Sequence, residues 1–149
     1  MTAIEMAISA PTSPALRRLS PAGRVRLASE IVSAYVRAQR ELRRAPITAV
    51  VERLRSTPAA GPSRRADALG EALRLGRAVS RTLALLPGDT RCLRRSLVLL
   101  QLLNRRGISA RLVIAARTDP AFLAHAWIEH DGVPVLVPAS DSFGRLVEL

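Results

Sequence analysis

The stretch that decides the fold is Cys92-Leu93-Arg94-Arg95-Ser96-Leu97-Val98-Leu99-Leu100-Gln101-Leu102-Leu103-Asn104-Arg105-Arg106-Gly107, followed by Ala110-Arg111-Leu112-Val113-Ile114-Ala115-Ala116. Pro87-Gly88 ends whatever precedes it, and Asp89 or Thr90 can cap a new helix. That helix is apolar on most faces from Leu97 to Leu103, as a central buried helix is. Arg105-Arg106 forms a basic last turn and Gly107 a stop. From Ala110 the period changes, and Ala110–Ala116 reads as a strand. Leu123–His130 is a second strand, Asp131-Gly132 a turn, and Val133–Val137 a third strand. Arg145–Leu149 adds a short edge strand.

Upstream the pattern is helical. Pro11, Pro14 and small polar residues predict a loose tail over 1–19. Ser20-Pro21 is a helix start, with Ser as N-cap and Pro in the first turn. Val25, Ala28, Ile31, Val32, Tyr35 and Leu42 recur at helical steps as far as about Arg44, before Pro46. Ile47, Val50, Val51 and Leu54 mark a short second helix over 47–55. Thr57–Ser63 reads as a linker, and a third helix covers roughly 66–86. Helices first and an antiparallel sheet afterwards is an α+β pattern. The expected organisation is a tail (1–19), an N-terminal helical region (20–65) and a core (66–149), together one globular domain.

Composition narrows the function classes. With 149 residues and 48% hydrophobic content the chain supports one well-buried core. No apolar run approaches the ~20 residues of a membrane span. The N-terminus lacks the basic stretch of a secretory signal, and a lone cysteine makes no internal disulfide, so a cytosolic free thiol is expected. The net charge is +11 and every basic residue is arginine. That charge suits an acidic partner or simply a solvated arginine surface. At 3% aromatics, nucleic-acid binding by base stacking has little support. Two histidines and one cysteine show no zinc spacing, no Gly-rich phosphate loop is present, and no cofactor is expected.

Cys92 lies in the first turn of its helix. Free N–H groups and the positive end of the helix dipole favour a thiolate there, with Arg91, Arg94 and Arg95 adding positive potential. Those N–H groups suit an oxyanion. His125, in Ala124-His125-Ala126-Trp127-Ile128-Glu129, is a candidate to take the thiol proton and return it to a leaving amine. Taken singly, Cys92 reads more readily as a small buried residue and His125 as a structural strand residue; it is the pair that points to chemistry. Trp127 shares His125's face, where it is a core aromatic or a shelter for the imidazole. Arg91, Arg95 and Trp127 are candidate substrate contacts. Glu129 reads as solvated, and His130 as a surface residue on the opposite face.

These residues resemble the transglutaminase-like leader peptidases of lasso-peptide biosynthesis. The resemblance covers roughly 66–149. It rests on Leu86–Leu97, on Leu102–Ile114, on the His125-Ala126-Trp127 strand and on Asp131-Gly132, in that order. It implies a cysteine protease triad in which Cys92 and His125 fill the first two places. It also implies removal of a leader from a ribosomal precursor, a small leader-recognition protein as partner, and an ATP-dependent macrolactam synthetase acting afterwards. With helices rather than a partly β recognition domain at its N-terminus, the chain resembles the split, stand-alone peptidase.

One departure concerns the third member. The resemblance places an acidic residue about twelve positions after the histidine, where this chain has Val137. If the hairpin turn is three residues (131–133), His130 pairs with Pro134, and positions 137 and 141 become diagonal neighbours of His125, ~7–8 Å away. Asp141 then supplies the carboxylate. A two-residue turn puts both positions on the wrong face. Asp131 is the fallback, though it lies some 15–20 Å along the strand at ~3.3 Å per residue. A dyad oriented by a backbone carbonyl is the remaining option.

Overall fold

The computed structural model describes residues 19–56, 67–87, 92–118, 122–136 and 144–149. Four helices come first: α1 (Pro21–Leu42), α2 (Ile47–Ser56), α3 (Ala68–Ala84) and α4 (Cys92–Arg105). Four strands follow: β1 (Arg111–Arg117), β2 (Leu123–His130), β3 (Val133–Pro134) and β4 (Gly144–Glu148). This is the expected α+β order.

Local chemistry sets the helix starts. Ser20 caps α1, its hydroxyl accepting from the Gly23 N–H at 3.1 Å, with Pro21 in the first turn. Asp67 caps α3 in the same way, accepting from the Gly70 N–H at 3.2 Å. Both caps satisfy donors that a helix start leaves unpaired. Residues 88–91, where α4's own cap was expected, lie outside the described residues.

α4 organises the core. Every residue from Ser96 to Leu103 is buried. It packs against α1, α2 and α3 and also against β1 and β2. Leu97, Val98, Leu99, Leu100, Leu102 and Leu103 are all 0% exposed. Six such side chains contribute on the order of 10 kcal/mol of burial, well above what surface ion pairs supply. The N-terminal helices complete this same core through Ile31, Ala34, Ala38, Val50, Val51 and Leu54. Arg106, just past α4, ties the helices together. Its guanidinium grips both Glu30 oxygens of α1, at 3.1 and 2.9 Å, and lies 3.7 Å from Glu71 of α3.

The sheet is antiparallel, in the order β3-β2-β1-β4. Its two faces differ. Leu112, Ile114, Ala126 and Ile128 face the helices. Val113, Ala115 and Trp127 form a small second cluster on the other side. β4 joins at the β1 edge, where Leu112 and Leu149 exchange both backbone hydrogen bonds.

The hairpin departs from the expected geometry. Glu129 pairs with Pro134 and His130 with Val133, so the turn is the two residues Asp131-Gly132, not 131–133. Both have positive φ, 49° and 79°. Such a turn matches the right-handed twist of the flanking strands, which is why Asp-Gly favours it. β3 is also shorter than Val133–Val137. The last described bond on this flank is from the Val135 N–H to the Ile128 carbonyl. Gly76 of α3 admits that segment, because a Cβ there would sit 3.0 Å from the Val135 carbonyl oxygen.

Candidate active site

Two contacts fix how α4 lies along β2. Near its start, Ser96 Oγ donates to the Ala126 carbonyl at 3.1 Å. Beyond its end, the Ser109 carbonyl meets the His130 ring. The residue numbers rise together, so α4 and β2 run in the same direction. Cys92 is one turn before Ser96 on the same helix face, about 6 Å back along the axis. Two strand residues, about 6.6 Å, lead back from Ala126 to Ala124. The thiol-bearing turn is therefore level with Ala124 and His125, and Cys92 is half-buried against the helix-side core.

His125 projects from the other face of β2. Its Cα partner across the sheet is Ala115. Its ring stacks on Trp127 with centroids 6.0 Å apart and planes at 25°. Burial pushes the imidazole below its ordinary value of 6.5, because water no longer stabilises the charged form. A neutral imidazole at pH 7 is the form that accepts a proton. Ladder pairing on the β3 flank of β2 reaches only Ile128, three residues short of His125, among the described residues.

Two polar residues expected at the surface are instead buried. Glu129 is 6% exposed and its carboxylate accepts from Trp127 Nε1 at 2.9 Å. His130 is 8% exposed on the helix-side face, where it meets the Ser109 carbonyl. Alternation puts Glu129 on the Trp127 face, but the covering of that face is a tertiary fact. The same holds for His130, which is roofed by the loop leaving α4.

The remaining candidates separate. Asp131 sits at the turn with its side chain 83% exposed, 3.5 Å from His130 Nε2. It is six strand residues from His125, about 20 Å, which excludes direct contact. Asp141, Val137 and Arg91 lie outside the described residues. The register assumed for Asp141 is not the one at the turn, where opposite numbers sum to 263 and not 264. Arg95 is half-buried in the first turn of α4, beside Ser96. Trp127, at 5% exposure, commits its indole to Glu129 and His125 rather than presenting an open surface to a substrate. Among the described residues, no three His, Cys, Asp or Glu side chains gather as a metal site, and no helix is long and apolar enough to cross a membrane.

An apolar central helix that starts at a cysteine, laid along a strand that carries a histidine at the same level, is the arrangement expected of a transglutaminase-like α+β domain. The comparison with protein families agrees: the profile of the transglutaminase-like superfamily matches residues 32–148, most of the chain including much of α1, and the protein belongs to that superfamily. The superfamily contains cysteine peptidases. No curated protein and no solved structure gives a significant match.

Proposed function

We propose that this protein is a cysteine peptidase that removes the leader from a ribosomally made lasso-type precursor. The observation that carries the proposal is the Ser96–Ala126 hydrogen bond, which sets the Cys92 turn of α4 level with the His125 position on β2, the imidazole itself lying on the far face of that strand. The ordered motifs around Cys92 and His125 supply the substrate class by resemblance. In the reaction, His125 takes the Cys92 proton as Sγ attacks the carbonyl of the leader–core bond. The backbone N–H groups at the start of α4 hold the oxyanion. The tetrahedral adduct collapses to a thioester of the leader, and the core's amino group leaves with the proton from His125. Water, deprotonated by His125, then releases the leader acid and restores the thiol. A small recognition protein presents the leader, and a macrolactam synthetase consumes the freed amino group.

The test is cleavage of the precursor with its recognition protein, read by mass spectrometry. Cys92→Ala and His125→Ala should each abolish product; undiminished cleavage by Cys92→Ala would sink the proposal. Asp141→Asn decides the third member. A loss approaching that of His125→Ala places Asp141 beside the imidazole, whereas a loss of only a few-fold leaves a Cys92–His125 dyad.

A second reading is a non-catalytic scaffold that binds an acidic leader or partner enzyme. It is favoured by one observation: Cys92 packs with the helix-side core while His125 projects from the opposite face of β2. Iodoacetamide separates the two. A nucleophilic Cys92 alkylates rapidly near neutral pH and slows in His125→Ala; a structural thiol stays inert in both.

A further inference from the structure

We infer that Glu129 is a positioning residue for His125, acting through the Trp127 indole. The inference rests on His125 being the proton carrier proposed above. Glu129 carries a carboxylate on a strand, yet it is 6% exposed. Burying such a group is costly unless it is hydrogen-bonded, and an apolar side chain would fill the place without that cost. What the carboxylate provides is a fixed acceptor. Trp127 Nε1–H donates to Glu129 Oε1 at 2.9 Å, and Arg111 stands directly across the ladder from Glu129.

The bond leaves the indole one orientation. Its plane then forms a wall beside the imidazole, 6.0 Å between centroids and 25° between planes. A base must keep one ring orientation to meet its proton donor within about 3 Å, and a fixed wall on one side restricts its rotation. Glu129 itself is four strand residues from His125, about 13 Å, too far to touch the ring. Its action therefore passes through Trp127, and this distinguishes it from an acidic partner of a catalytic triad.

The test compares Glu129→Gln, Glu129→Leu and Trp127→Phe. Gln keeps an acceptor for the indole N–H, Leu removes it, and Phe keeps a ring without the donor. The first readout is the titration of the His125 ring protons by NMR in the free protein, which needs no peptidase activity. Glu129→Gln should titrate as the parent does. Glu129→Leu and Trp127→Phe should both shift His125 upwards, as the released ring lets water reach the imidazole. If Glu129→Leu does not fold, Trp127→Phe carries the test alone. On the precursor, Glu129→Leu should lose roughly ten- to a hundredfold in kcat with little change in KM. Parent-like titration in both Glu129→Leu and Trp127→Phe overturns the inference, as does a Glu129→Gln curve displaced as far as that of Glu129→Leu. Failure of the proposed function shows differently: Cys92→Ala would then cleave normally, whatever the His125 titration.

Discussion

Ser96→Ala tests the contact that sets the Cys92 turn of α4 level with the His125 position on β2. Ser96 is fully buried and its hydroxyl reaches the Ala126 carbonyl at 3.1 Å. Removing one buried neutral hydrogen bond costs about 1 kcal/mol, rising towards 3 kcal/mol if the carbonyl is left without a partner. Alanine leaves only an oxygen-sized void, so about 1.5 kcal/mol is a fair central value. With an unfolding entropy near 2.1 cal/mol/K per residue, a chain of 149 residues has about 0.3 kcal/mol/K, and Tm should fall by about 5 °C. Differential scanning fluorimetry reads this directly. Val98→Ala is the control: it empties a fully buried site on the same helix at about 2 kcal/mol, without touching the β2 contact. At a temperature where both variants are folded, Ser96→Ala should also slow precursor cleavage while Val98→Ala should not. A Tm within about 1 °C of the parent would refute the energetic argument. Equal loss of cleavage in both variants would refute the alignment argument.

Stability should depend on pH through His125. Its folded value is pushed below 6.5 by burial, so the unfolded chain binds the proton first; this contribution is intact above 6.5 and is lost as pH falls from 6.5 towards the folded value. Urea midpoints measured across that range should show the slope in the parent and lose that component in His125→Gln. Arg106→Ala should cost about 1–3 kcal/mol, because it leaves the half-buried Glu30 carboxylate without its two-pronged partner. Arg106→Lys should recover little, since an ammonium lacks the planar fork, and a coupling energy below about 0.5 kcal/mol in the Arg106–Glu30 double-mutant cycle would count against the clamp.

Local interactions made much of this protein readable from its residues. Ser20-Pro21 starts α1 because a hydroxyl three residues from a free N–H satisfies it, whatever the rest of the chain does. The run Leu97–Leu103, apolar except for Gln101, offers no broad polar face, so α4 had to lie at the centre. The period change after Gly107 and the Asp131-Gly132 turn mark the strands, and the order of motifs around Cys92 and His125 points to the transglutaminase-like superfamily whose profile the chain matches.

Tertiary packing decided the rest. Alternation places His125, Trp127 and Glu129 on one face but does not say that the face is covered, so a solvated Glu129 is the sequence expectation and its carboxylate buried against the indole is the tertiary outcome. His130 is buried because the loop after α4 passes over it, a contact between residues 21 apart. The hairpin register turned on whether two or three residues make the bend, and one residue exchanges the faces of everything beyond it. The level of the Cys92 turn against the His125 position on β2 belongs to neither motif alone. It follows from Ser96 meeting Ala126 across 30 positions of sequence, a pairing set by how a buried helix packs on a sheet and not by any local preference of either segment.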